Sequence, residues 1–346
     1  MGSGHFLREA FDMLVAMYRE RQPELSASEI ADRILTRHLH GIDIDPRAGQ
    51  LAALTLYLRA WELVNEERRK QREPGAVPYR PPAMNLATTP TGLTSGALQR
   101  HLRRHPEDRI LKPLLEGIFV SLEQADILGS LLRPGEHLSE AIAALRRPHT
   151  MQMDFDADDA ALRRNITELA KHDPEELKRV LMERIAASFA AEAGNADDVG
   201  AALFGREAMQ GVHLLRVLDR RYVVVVTNPP YLGGGNMEEG LKTFIEQSYP
   251  AGRADLFAAL IIRCLEMCQS QGRVSMVGLN KWAFLGSYLE LRSGCDSFAG
   301  LLRGYGIEAF CDLGQRAFSP DNKLHDGLHY LCTFNLLNLD DHHLPL

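Results

Sequence analysis

Residues Asn228-Pro229-Pro230-Tyr231 constrain this chain most. They follow the unbroken run Tyr222-Val223-Val224-Val225-Val226-Thr227 and precede Gly233-Gly234-Gly235. The β-branched run predicts a strand buried on both faces of a parallel sheet. Two consecutive prolines cannot continue a strand or sit inside a helix, so the chain must turn there. An amide and an aromatic ring are thereby held at the carboxyl end of a central strand, where ligands bind in open α/β sheets. The Asn side chain offers one acceptor and two donors in a plane, which suits an exocyclic amino group on a base. The tyrosine ring suits stacking on that base. The competing reading of the same four residues is a tight turn with a surface tyrosine.

A length of 346 residues allows one large domain or two ordinary ones. With 45% apolar and 25% charged residues, the composition is that of a soluble globular protein. No apolar run approaches the ~18 residues of a membrane span, and Met1-Gly2-Ser3-Gly4-His5 lacks the basic and apolar regions of a signal peptide, so a cytoplasmic protein with no membrane partner is expected. The five cysteines all lie in the last quarter of the chain, without zinc-type spacing, and read as free buried thiols in a reducing compartment with no metal site. A net charge of −7 argues against nucleic-acid binding over the whole surface while leaving room for a local basic cleft.

Periodicity divides the chain into three parts. Residues 1–66 read as α/β: helices over 5–21 and 26–37, a strand over 39–45 and a helix over 47–65, with Ser26 and Glu29 spaced as a capping box. Residues 67–213 read as a charged, proline-containing linker followed by a large all-helical insertion, with helices over 108–132, 137–145, 156–171 and 174–192. Residues 214–346 return to strand–helix alternation: helices over 237–249 and 254–269, strands over 222–227, 273–279, 307–313 and 328–337, and a mostly helical stretch over 282–302. Such alternation implies a parallel sheet with helices on both faces.

Gly2 and Gly4 lie in a short loop that opens directly into a helix through His5-Phe6-Leu7. Glycines allow close backbone approach to a ligand, and the helix start presents free N–H groups. About forty residues on, a strand ends in Gly41-Ile42-Asp43-Ile44-Asp45. A carboxylate at such a strand tip is the usual partner of ribose hydroxyls in nucleotide-type folds. Asp43 is assigned to that role, and Asp45 to capping the helix that begins at Pro46. Asp255, at the start of a helix, reads as a cap, with shaping of a pocket as the alternative. Trp282 reads as packing.

Taken in order, these pieces resemble N6-adenine DNA methyltransferases of the gamma type, above all the PglX-like enzymes of BREX phage-defence systems and the modification part of type IIG restriction enzymes. The stretches that carry the resemblance are Gly2–Leu7, Leu39–Leu58, Tyr222–Gly235, Ala254–Leu260, Lys281–Arg292 and Asp312–Phe318. The resemblance implies an S-adenosylmethionine-dependent, Rossmann-like α/β sheet. It implies cofactor contacts from Gly2, Gly4, Phe6, Asp43 and Ile44. It also implies a catalytic group of Asn228, Pro229, Pro230 and Tyr231, and a second ring on a flipped adenine from Phe318. The partner implied is double-stranded DNA, in a restriction-modification or BREX setting with its other proteins. Asn85-Leu86 stands, in order, where the family contacts the cofactor's adenine.

The family's glycine loop normally follows a first strand, whereas only Met1 precedes Gly2 here. The expected sheet therefore lacks its first strand, to be supplied by another chain together with a target-recognition domain. Two other readings stay open on the residues alone: a catalytically impaired fragment or split subunit, and a methyltransferase for a non-DNA amide or amine.

Overall fold

The computed structural model describes residues 1–71, 78–90, 95–104, 112–135, 139–140, 143, 174–194, 198–314 and 331–339. They form two units, Met1–Asp219 and Arg220–Leu346.

In the first unit, α1 (His5–Arg21), α2 (Ala27–Arg33, continued by a wider π turn over Ile34–His38) and α3 (Pro46–Gln71) pack on a short parallel pair, β1 (His40–Asp43) and β2 (Asn85–Thr88). The Ser26–Glu29 capping box forms in both directions, satisfying two orphan donors at the start of α2. Phe11, Ile30, Ile34, Leu56 and Leu63 make the core between the three helices. Each such side chain, fully buried, contributes on the order of 1.5–3 kcal/mol. Helix α3 runs to Gln71, six residues past the expected end and into the stretch read as linker.

β2 is a strand the periodicity did not announce. It lies in the span read as linker and helical insertion, and it exists through pairing with β1, His40 opposite Asn85 and Asp43 opposite Thr88. After it come α4 (Ser95–Arg104), α5 (Lys112–Glu123), α6 (Ala125–Leu128), α7 (Pro174–Ala193) and α8 (Val199–Asp219). Helix α8 runs through the point near residue 214 where strand–helix alternation was expected to resume. Its Gln210 donates to the carbonyl and hydroxyl oxygens of Thr88 and to the Thr89 carbonyl, so polar groups at the end of β2 find partners on a helix. Among the helices, His101 Nδ1 and Glu192 Oε2 meet at 3.0 Å in a buried pair, with Phe189 and Phe204 against the imidazole. The helices expected over 137–145, for the most part, and over 156–171 lie outside the described residues.

The second unit is built on a four-stranded sheet with order β3 (Tyr222–Thr227), β4 (Cys268–Leu279), β6 (Leu331–Asn338), β5 (Tyr305–Gly314). The sheet is mixed rather than parallel as expected: β3 and β4 are parallel, but β6 runs antiparallel to both β4 and β5. Helices α9 (Glu239–Ser248), α10 (Leu256–Met267), α11 (Leu289–Ser293) and α12 (Leu301–Gly304) complete it. Helix α10 is buried along most of its length, from Phe257 to Leu265, as a helix apolar on all sides must be. The stretch expected to be mostly helical over 282–302 is broken into 3-10 turns and the short helices α11 and α12.

The expectation that Tyr222–Thr227 is buried on both faces is not met. Val223, Val224 and Val226 are 61%, 54% and 45% exposed. The reason is topological: among the described residues β3 pairs only with β4, so it is an edge strand of this sheet. The cysteines are all free, but only Cys264, Cys268 and Cys332 are buried; Cys311 is exposed and Cys295 half-buried. Among the described residues, no helix is long and apolar enough to cross a membrane.

Candidate functional site

The predicted residues fall into two groups, each within one unit. In the first, Gly2 and Gly4 form the turn that enters α1, both with positive φ, +56° and +88°. A Cβ on Gly4 would come within 2.9 Å of Ala52 Cα, so the turn is possible only because α3 can approach a bare backbone. Thr55 of α3 donates to the Ser3 carbonyl at 3.1 Å and holds the turn from the other side.

Asp43 stands at the carboxyl end of β1 and gathers the turn. Its Oδ2 accepts from the Gly2 N–H at 2.8 Å and from the Met1 ammonium at 3.2 Å, while Oδ1 accepts from the Asp45 N–H at 3.0 Å. Burial pushes the Asp43 carboxyl up, but the hydrogen bonds from Asp45 and Gly2 and the nearby ammonium outweigh it, so the net shift is downward and the group stays ionised. Asp45 accepts from the Arg47 N–H at 2.9 Å at the start of α3. It thus takes the capping role expected of it.

The next residue, Ile44, is 53% exposed, with its carbonyl held by Thr89 Oγ1 at 2.8 Å. Phe6 is also exposed, at the first turn of α1. A glycine turn, an ionised carboxylate and an exposed apolar side chain after it fit a ribose-bearing cofactor. Three donors reach Asp43, and a carboxylate offers about four acceptor sites, so one remains for a hydroxyl. Asn85 is not part of this group. It lies at the amino end of β2, opposite His40, and its amide donates to the Thr36 carbonyl at 2.8 Å, so it stands at the wrong end of the strands.

In the second unit the chain leaves β3 at Thr227, which pairs with Met276, and enters the proline turn. Asn228 and Pro230 are exposed and Pro229 is buried. The Tyr231 hydroxyl donates to Asn228 Oδ1 at 3.0 Å. The Tyr231 ring meets Phe257 edge-on at 6.4 Å. Burial, with a smaller push from Cys332, raises the Tyr231 phenol to about 12, so it remains a donor at ordinary pH.

Asp255 is the residue whose place the sequence showed only in part. It does cap α10, accepting from the Phe257 N–H at 3.3 Å. The same oxygen also accepts from the Leu232 N–H at 3.1 Å, and its second oxygen accepts from Lys281 Nζ at 3.0 Å. The expected cap is in place, and the same carboxylate also ties the loop after the proline turn to Lys281. The bond from Lys281, which opens one of the stretches carrying the resemblance, was not anticipated. By itself Lys281 reads as a lone cation two residues past a strand end. Burial works against its charge, but the bond and attraction to Asp255 prevail and raise it. Trp282 is core, as read, against Phe310 and Phe334. Phe318 lies outside the described residues.

The chain is similar to several known proteins. Residues 37–316 match the model of the Eco57I restriction-modification methylase. The chain is 27% identical over 320 residues to the adenine-specific methyltransferase PglX of Lacticaseibacillus casei (strain Zhang). It is 26% identical over 334 residues to the adenine-specific methyltransferase BrxX of Escherichia coli O9:H4 (strain HS). Each match covers 92% of this chain but 22% and 23% of the relative, so the chain spans about a fifth of the length of these curated relatives. A solved structure from Listeria monocytogenes, of a protein assigned to the class I S-adenosylmethionine-dependent methyltransferases, aligns at 11% identity over 73% of this chain and 91% of its own, with a TM-score of 0.27. A methylase of this kind draws its methyl group from S-adenosylmethionine. With most of its length matched, the chain belongs to the Eco57I restriction-modification methylase family.

Proposed function

We propose that this chain is the catalytic region of a cytoplasmic DNA N6-adenine methyltransferase acting in restriction-modification or BREX-type phage defence, on an adenine flipped out of double-stranded DNA. The observation that carries the reading is the Tyr231–Asn228 hydrogen bond at the carboxyl end of β3. It orients an exposed amide whose oxygen keeps a second lone pair for an incoming N–H. Family membership and two relatives named as adenine-specific methyltransferases support it.

In this reading Asn228 Oδ1 and the Pro229 carbonyl accept the two N6 protons of adenine. That frees the nitrogen lone pair from conjugation with the ring and aims it at the methyl group. Pro230 keeps the turn rigid, and Tyr231 stacks on the base. Gly2, Gly4, Phe6, Asp43 and Ile44 hold the cofactor, Asp43 by a ribose hydroxyl. When bound, S-adenosylmethionine supplies an electrophilic methyl. The chain's own contribution is positioning for in-line displacement, with no covalent enzyme intermediate. Phe318 as a second ring on the base rests on the resemblance alone.

The exposed valines of β3 support a further element: a strand from another segment or chain pairing on that edge, where it would cover apolar surface and satisfy backbone groups. A target-recognition domain and other BREX proteins complete the proposed partners.

The test is incubation with tritiated S-adenosylmethionine and duplex DNA, the chain alone and with a chain supplying the proposed edge strand. Label in N6-methyladenine is expected. Label in RNA or protein would move the reading to a non-DNA amine or amide. No label anywhere, from a folded preparation that binds cofactor, would refute an active enzyme.

A further inference from the structure

Asp255 is a 1% exposed carboxylate with two different jobs for its two oxygens. One oxygen joins the first turn of α10 to the loop after the Asn228–Tyr231 turn, through the Phe257 and Leu232 N–H groups. The other is taken by Lys281, which stands just past the end of β4. Backbone bonds run in parallel: Leu256 N–H to the Leu232 carbonyl at 2.9 Å, and Gly234 N–H to the Ala254 carbonyl at 3.1 Å. The aromatic groups follow the same circuit. Tyr231 meets Phe257, Phe257 meets the buried Tyr288 at 5.9 Å, and Lys281 Nζ lies 5.9 Å from the Tyr288 ring centre. Tyr231 therefore sits next to a loop residue whose N–H is fixed by a buried carboxylate, and that carboxylate is fixed by a cation from the turn after β4.

A helix cap needs no cation, and a buried carboxylate that must be ionised is costly unless paired. The arrangement makes sense if Asp255 has to be held in one place. We propose that Asp255 and Lys281 are positioning residues for methyl transfer. Together they lock the Leu232 backbone and so hold Tyr231, and the Asn228 amide bonded to it, in the orientation that receives the amino group. The proposal rests on the functional reading above and adds two residues that touch neither base nor cofactor.

Lys281→Met keeps the length of the side chain and removes its charge; because it leaves the 1% exposed Asp255 without its cation, rates are read where the urea midpoint shows the variant folded. Misplacing a reacting geometry by about 1 Å can cost on the order of 100-fold. The variant is therefore expected to lose roughly 10- to 100-fold in kcat with KM for DNA and cofactor Kd changed less than about threefold. Lys281→Arg restores most of the rate. Asp255→Asn, which keeps an acceptor for both N–H groups, loses rate similarly, and combining it with Lys281→Met adds little. Hydrogen exchange at the Leu232 amide, read without any substrate, is expected to rise in Lys281→Met and return to normal in Lys281→Arg. A normal kcat, or unchanged exchange at Leu232, in Lys281→Met would overturn the proposal. If the unmodified chain transfers no methyl to any substrate, the functional reading fails and the catalytic role proposed for the pair fails with it; exchange at Leu232 then reports only whether they lock the loop.

Discussion

The hydroxyl of Tyr231 donates to the side-chain oxygen of Asn228 across the two prolines, at 3.0 Å. The ring that is to stack on the base thus also orients the amide that is to accept its protons, so the two cannot be changed independently.

Asn228→Ala removes the acceptor without touching the core, because Asn228 is exposed. Methyl transfer is expected to fall at least 100-fold, with cofactor affinity by calorimetry unchanged within about twofold and stability within about 0.5 kcal/mol. Parallel loss of rate and cofactor binding would make Asn228 structural.

Tyr231→Phe keeps the ring and removes one hydrogen bond, worth about 1 kcal/mol. Steady-state kinetics should show kcat lowered roughly 5- to 10-fold, with KM for DNA nearly unchanged. Because burial raises this phenol to about 12, its neutral form is the one the fold favours. Its contribution to stability is fully present below the ordinary tyrosine range near 10 and is lost as pH rises through about 12. Urea midpoints at alkaline pH should therefore fall less steeply for Tyr231→Phe than for the unmodified chain.

Gly4→Ala tests the turn. A residue with a side chain at φ +88° is strained, and its Cβ would meet Ala52 backbone at 2.9 Å. A loss of about 2–3 kcal/mol in urea unfolding is expected, with weakened cofactor binding. A loss under about 0.5 kcal/mol would show that the turn relaxes freely.

Asp43→Asn keeps the shape of the strand tip and removes the charge that draws the Gly2 and Asp45 N–H groups. Cofactor affinity by calorimetry should fall about tenfold, the effect of roughly one charge-assisted hydrogen bond. Since Asp43 is held below the usual carboxylate range, its stabilising effect is complete above about pH 4, the ordinary aspartate value, and is lost as pH falls through its lowered value. An acid titration of stability should show that loss in the unmodified chain and not in Asp43→Asn.

Much of the site was legible because its chemistry is local. The proline pair stops β3 where expected, Ser26 and Glu29 close their box within four residues, and Asp255 caps the helix that starts beside it. What escaped depends on partners far along the chain. β2 is four residues with no strong alternation, and it forms because β1 lies alongside it, 45 residues earlier in the register of His40 with Asn85. The pairing of Lys281 carries no local signal, because its partner Asp255 is 26 residues away in sequence.

The sequence by itself determined where β3 stops and where the caps at Ser26, Asp45 and Asp255 lie, because steric rules and capping bonds act over a few residues. Only the tertiary structure decided that the sheet of the second unit is mixed and that the valine run of β3 is an edge. It also decided that one carboxylate at Asp255 joins a helix, a loop and a lysine. Strand pairing and the pairing of a buried charge are set by whatever group lies across the gap, and that group is chosen by topology.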